Sequence, residues 1–415
     1  MKRILSIILL ICALFGSVRS QDLDSLIDSV MVKHDLIGLS IAFVKDNKII
    51  YNKGFGLANI EKGIRIDDST RFRIASVSKS ITAVALLSLY DKGLFSLDDD
   101  VGNLLGYKVR NPYFPDQPIT VRMVLKHTSS ISDGSGYSKF VGTLKKYPCP
   151  PGLGCLLCDS GKYYSSDLWV KARPGTRFLY SNLNYGIIAT LVEKLSCQRF
   201  DVYIKNALFN PLHLDADYNI LNFKDYNKVA VLYRKEGKEI EPQADNFSNK
   251  SPDSNYIRFI NPGENAMVFA PAGGLRISSH DMAILMLLLM NNGSAGSQRL
   301  LSDTTVALMK NLTQPDSSIK KYGFGIEPKT MIVTIDSIPL KIKVIGHGGA
   351  AYGFVGDMFW SEQGKFGFVI FANGCRTTYH HHKGTSFYMF EEDILEILYK
   401  HFILPNPNPE GIIGR

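Results

Sequence analysis

The chain has 415 residues, of which 45% are hydrophobic, 21% charged and 11% aromatic. That composition excludes a wholly disordered, collagen-like or coiled-coil protein, and the length suggests two or three units at ~150 residues each. Forty-seven basic residues stand against 39 acidic ones, but Lys2, Arg3 and Arg19 lie in the first twenty residues, which hold no acid. The remaining excess is scattered, with no block of five like charges, so no nucleic-acid partner is expected.

Lys2 and Arg3 precede an apolar run from Ile4 to Phe15, and Gly16, Ser17, Val18, Arg19 and Ser20 follow. This order predicts a secretory signal peptide over residues 1–20, cleaved after Ser20. The run is shorter than the ~20 residues that span a bilayer. No other stretch comes closer, so a mature chain without a transmembrane segment is expected, periplasmic or secreted. Disulfides persist in such compartments. Cys149, Cys155 and Cys158 cluster in PCPPGLGCLLC. A loop disulfide is favoured there over a metal site, because Cys155-x-x-Cys158 has no second pair to complete four ligands. The consecutive His380, His381 and His382 cannot all converge from a regular strand or helix, so a polar loop is expected. Sequons stand at Asn246, Asn249, Asn292 and Asn311.

Along the chain, apolar residues from Asp22 to His34 recur at helical spacing. Leu39–Val44 and Ile49–Tyr51 read as a hairpin around Lys45–Lys48, with GFGLAN extending the second strand. Ser76 to Lys92 reads as a helix ended by Gly93. Leu125–Ser130 reads as a helix end or turn, and residues 134–170, which lack periodicity, as a long surface loop. Helices are expected over Tyr185–Leu195, Asp201–Leu208 and His280–Met290, with a loop over 241–255. Strands are expected over Lys341–Ile345, Phe354–Trp360 and Phe366–Phe371, then an amphipathic helix over Thr385–Ile403. Both ends can therefore build one antiparallel sheet with helices against it, which makes the fold class α+β.

Three motifs carry chemistry. Ser76-Val77-Ser78-Lys79 puts a serine and a lysine one turn apart on one helix face. The serine hydroxyl needs a base to take its proton, and lysine serves only if burial or nearby positive charge lowers its pKa. Copies at Ser317–Lys320 and Ser318–Lys321 have no apolar helix behind them. Tyr180-Ser181-Asn182 offers a phenol for proton relay, if adjacent cations lower its pKa, and an amide that can accept from lysine and donate to a carbonyl. His347-Gly348-Gly349 follows the strand KIKVIG, where glycines let a ligand reach the backbone N–H groups.

In this order the motifs resemble the serine β-lactamase and penicillin-binding protein superfamily, and the class C-like branch with its esterases and D-amino peptidases most of all. The segments FRIASVSKSITAVALLSLYDKG, RPGTRFLYSNLNYGIIATLVEKLS and PAGGLRISSHDMA support the resemblance, which covers roughly residues 30–400. It implies a β-lactamase/transpeptidase-like fold: a sheet subdomain from about 21–75 and 325–405, an inserted mostly helical subdomain from about 76–324, and a tail over 406–415. It implies that Ser76 attacks a substrate carbonyl, that Lys79 and Tyr180 share proton transfer, and that Asn182 orients Lys79 and the substrate. The N–H groups of Ser76 and Ala350 would form the oxyanion hole, and His347, Gly348 and Gly349 would flank the substrate. No metal or cofactor is implied. The expected partner is a small-molecule or peptide substrate, cell-wall peptide included.

Two departures stand out. His347 occupies the place of a lysine that helps bind a substrate carboxylate, which points toward a peptidase or esterase rather than a dedicated β-lactamase. The nearest counterpart of a Ser-Asp-Asn motif, Ser132-Asp133-Gly134, lacks the asparagine. An α/β-hydrolase is excluded because no serine has glycines two before and two after it. The remaining alternative is a non-catalytic binding or regulatory protein on the same scaffold.

Overall fold

The computed structural model describes residues 23–144, 150–248, 251–252, 254, 257, 260–314, 316–376 and 385–404. The expected signal peptide, Cys149, Asn249, the His380–His382 run and the tail lie outside the described residues. Leu23, Ile27, Val30 and Met31 form the buried stripe of α1 (23–34). The expected hairpin is β1 (Gly38–Lys45) and β2 (Lys48–Asn59). Asp46 and Asn47 turn it with positive φ (48° and 62°), the geometry that matches strand twist. β3 (Ile64–Arg65), β4 (Phe72–Arg73) and α2 (Ser78–Tyr90) follow.

The middle of the chain carries α3 (Val101–Leu105), α4 (Val121–Leu125), α5 (Ser135–Val141), α6 (Gly154–Leu157), α7 (Asn182–Ser196) and α8 (Phe200–Ile204). Next come the hairpin β5 (Leu232–Glu236) and β6 (Glu239–Ala244), then β7 (Arg276–Ile277) and α9 (Ser279–Met290). The short β8 (Ser294–Ala295) and β9 (Gln298–Arg299) precede α10 (Asp303–Lys310). The chain then runs through β10 (Glu327–Ile335), β11 (Ile338–Ala351), β12 (Phe354–Ser361), β13 (Phe366–Ala372), β14 (Gly374–Arg376) and α11 (Met389–Phe402).

Seven strands form the main sheet in the order β10-β11-β12-β13-β1-β2-β3. Every neighbouring pair is antiparallel. β1 joins the two ends of the chain, with Ile41 opposite Lys53 on one side and Ile370 on the other. Alternation along β1 separates two cores. Leu39, Ile41 and Phe43 pack with α1 and with Phe390, Ile394 and Leu398 of α11. Ala42 and Val44 face the other layer, where α9 supplies Met282, Leu285, Met286 and Leu289 beside α2 and α7. Fully burying each such side chain contributes ~1.5–3 kcal/mol. This is the α+β architecture expected from the sequence. No described helix is long and apolar enough to cross a membrane.

Three expectations are corrected. Residues 134–170 are not a surface loop: α5 and α6 lie there, and Phe140, Leu153, Leu156, Leu157 and Leu168 are buried in the larger core. Part of the segment expected as a loop over 241–255 belongs to β6. The favoured loop disulfide is not formed by its described members, since Cys155 and Cys158 are free thiols. Cys155 lies in α6, and Cys158 leaves the helix in an extended conformation (φ −80°, ψ 142°).

Candidate active site

Ser76 lies in a 3-10 turn, Ala75–Val77, that runs directly into α2. Ala75 enters it with φ 43°, a left-handed backbone that an alanine adopts at a cost of order 1 kcal/mol. The turn presents Ser76 at the wall of a cleft of about 270 Å³. Lys79 lies one turn on and is fully buried. Its Nζ donates to Ser76 Oγ at 3.0 Å, Asn182 Oδ1 at 2.8 Å and the Ala272 carbonyl at 2.9 Å. Burial, against the pull of Asp133, brings this ammonium down to about 7.

Tyr180 and Asn182 arrive together at the start of α7. The Lys79 ammonium stands 4.8 Å from the centre of the Tyr180 ring. Although 39% of Tyr180 is exposed, desolvation of its phenol raises the pKa above the ordinary value, and contact with the Ser76 hydroxyl only moderates the rise. The lowered phenol pKa considered from the sequence is therefore absent, because burial of the phenol dominates. Asp133 grips the start of α7. One carboxylate oxygen accepts from the Asn182 N–H and side-chain amide at 2.9 and 2.8 Å, and the other from Ser181 Oγ and the Leu183 N–H at 2.8 and 2.9 Å. These bonds fix the Asn182 amide so that its oxygen faces Lys79.

His127 supports the same segment from below. Its Nδ1 accepts from the Ser181 N–H at 3.2 Å and the Asn184 amide at 3.1 Å. Its ring packs on Tyr180 with centroids 4.5 Å apart. Burial first, and then the neighbouring Lys79 and His347, hold it well below the ordinary histidine pKa, so it is neutral. Neither Asp133 nor His127 was readable as part of the site, because each reaches it only through the folded chain. The one available signal for Asp133 was the incomplete Ser-Asp-Asn motif.

The third motif lies on β11. The Gly349 position faces Ser76: a Cβ there would stand 2.8 Å from Ser76 N and 2.9 Å from Ile74 O. Glycine alone allows this approach, which brings Ala350 to the cleft wall beside Ser76. Gly348 faces the other way, where a Cβ would meet Asp357 Oδ1 at 2.5 Å. His347 is 2% exposed and turned inward. Its Nδ1 donates to the Gly348 carbonyl at 2.6 Å and its Nε2 accepts from the Tyr322 hydroxyl at 3.0 Å. Burial lowers its pKa to about 4, against the attraction of Glu327. The structure thus gathers Ser76, Lys79, Tyr180, Asn182, Gly349 and Ala350, while the His347 ring, on the same face as Gly349, is buried against Tyr322 and Tyr180, and the Gly348 Cα position points to the far face. The Ser317 and Ser318 copies lie in an exposed turn.

The Beta-lactamase family profile matches residues 23–384. The chain belongs to the Beta-lactamase family. It is 29% identical over 217 residues to protein flp of Staphylococcus aureus (strain MRSA252), a match covering 52% of this chain and 42% of flp. The chain thus spans less than half the length of that curated relative. Among solved structures it is similar to the octameric penicillin-binding protein homologue from Pyrococcus abyssi (TM-score 0.64, 22% identity, 92% of this chain and 77% of that one). It is also similar to EstCE1, described as a hydrolase with promiscuous acyltransferase activity (TM-score 0.62, 17% identity, 92% of this chain and all of that one, 100%). At these identities the likeness is one of fold.

Proposed function

We propose that this Beta-lactamase family member is an exported serine hydrolase that cleaves amide or ester substrates through a Ser76 acyl-enzyme. The observation that carries the reading is the Lys79 ammonium, buried, near neutral pKa and 3.0 Å from Ser76 Oγ. In its neutral form Lys79 takes the Ser76 proton as Oγ attacks the substrate carbonyl. The carbonyl oxygen becomes an oxyanion against the N–H groups of Ser76 and Ala350. The phenol of Tyr180, protonated at neutral pH, gives its proton to the departing amine or alcohol and recovers one from Lys79. Water then attacks the acyl carbonyl, its proton passes to the Lys79–Tyr180 pair, and Ser76 leaves as the hydroxyl. Asn182 holds Lys79 and offers its amide to the substrate. D-amino peptides, β-lactams and short esters all suit these groups, and the inward, neutral His347 favours a peptidase or esterase. The charged, apolar, small-residue order of residues 1–20 supports export.

Labelling tests the reading. A fluorophosphonate or fluorescent penicillin is expected to add its mass to the intact wild-type chain and not to Ser76→Ala. A folded wild type that takes up neither reagent favours the non-catalytic alternative.

A further inference from the structure

The cleft beside Ser76 offers a substrate one guanidinium. Arg73, on β4, lines it together with Ser76, Asn182 and Ala350. The other cation near the nucleophile, Lys79, is committed to Ser76, Asn182 and Ala272. Arg73 is half-buried, donates from Nε to the Gly273 carbonyl at 3.3 Å, and lies 4.8 Å over the Tyr352 ring. Among the described residues it makes no salt bridge. The nearby acid, Asp245, holds Arg276, Arg73's partner across the β4–β7 pair, with two bonds of 2.6 and 2.8 Å. Arg73 also walls a second cavity of about 440 Å³. A planar donor left without a carboxylate between two cavities matches the fork of an incoming carboxylate.

The side of the nucleophile matters. β11 passes Ser76 at Gly349 and Ala350, and its His347 end packs near Tyr180 with ring centroids 6.3 Å apart. Arg73 packs on Tyr352, just past the opposite end. At ~3.3 Å per residue, His347 and Ala351 stand roughly 13 Å apart along the strand. Tyr180 serves the leaving group in the hydrolase reading, on which this inference rests, so Arg73 serves the acyl group that stays on Ser76. Met267, Pro271 and Ala351 supply apolar surface to the cleft wall.

We propose that Arg73 binds a carboxylate carried by the acyl half of the substrate, and that the enzyme therefore selects amides or esters of acidic acyl groups. Its guanidinium clamps the anion while the intervening carbons lie along the apolar wall, and longer groups continue into the second cavity.

The test compares mono-4-nitrophenyl adipate with 4-nitrophenyl hexanoate, which differ only by carboxylate against methyl at the far end of a six-carbon acyl chain. The wild type is expected to favour the adipate ester in kcat/KM by roughly tenfold or more, as a charge-assisted pair allows. Arg73→Met is expected to bring that ratio near one, and Arg73→Lys to retain part of it. Hydrolysis of the hexanoate with no preference for the adipate, or a preference that survives Arg73→Met, overturns this inference and leaves the hydrolase reading standing. If neither ester is cleaved and neither labelling reagent adds to Ser76, the hydrolase reading fails; whenever neither ester is cleaved, calorimetry on folded Ser76→Ala decides the binding question by itself. Adipamate binding tighter than hexanamide, lost in the Ser76→Ala, Arg73→Met double variant, supports the anion site; equal binding overturns it.

Discussion

Lys79 meets two demands that oppose each other. Burial brings its pKa to about 7 and so suits it to the proposed role of base, but the same burial costs folding free energy. Between its folded value and the ordinary 10.5, the unfolded chain holds a proton that the folded chain has lost. Stability contributed by this group therefore rises with pH across that window, and the full cost is on the order of 5 kcal/mol. Lys79→Met is expected to raise Tm by several degrees at pH 7, flatten this rise, and cut acylation at least ~10²-fold. Calorimetric melts at pH 7 and 9 with a labelling time course check all three; a destabilised variant would contradict the burial argument. At this scale the approach of Lys79 to Ser76 was legible from sequence, because the two lie one turn apart. Asp133 and His127 were not, because their partners, Ser181, Asn182 and Asn184, are brought to them by tertiary packing.

Strand β11 completes the site by how closely it approaches the start of α2. Gly349→Ala is expected to push the strand from Ser76, since its Cβ would stand within 3 Å of two backbone atoms that cannot move without unseating the nucleophile. Acylation should fall ~10²-fold or more, the loss seen when an oxyanion donor is removed, with circular dichroism unchanged; wild-type labelling would show that the approach is not limiting. The elements that sequence reading found, β1, β12 and β13, are near-continuous apolar runs, buried along nearly all their length. β10 was missed because its residues alternate weakly and carry Pro328 and Lys329 in half-buried positions. The 134–170 segment was misread for a related reason. Its buried residues are spaced irregularly across short helices, which leaves no period to detect.

Across the whole molecule, the far face of the active-site strands holds a buried charge cluster. Lys329 Nζ stands 3.2 Å from Asp357 Oδ1. Asp357 and Glu391 are both buried in this cluster, and the Asp357 charge disfavours ionisation of Glu391. Burial raises both above the ordinary carboxyl range. A raised carboxyl contributes stability that is complete below its unfolded pKa and fades as pH rises toward the folded one. Glu391→Gln is expected to flatten that decline and to match or exceed the wild-type Tm at pH 8, measured by melts from pH 4 to 8; an unchanged slope would place the titration elsewhere. The topology carries a consequence of its own. β1 waits for β13, more than 300 residues later, before its second edge is paired, and the Ser76, Lys79 and Asn182 contacts span only the first half of the chain. A ribosome thus delivers Ser76 and Lys79 long before the strand that carries Ala350. Slow, non-local closure of the sheet acts as a timer, and the proposed site cannot assemble until β11 and the strands that flank it have been made.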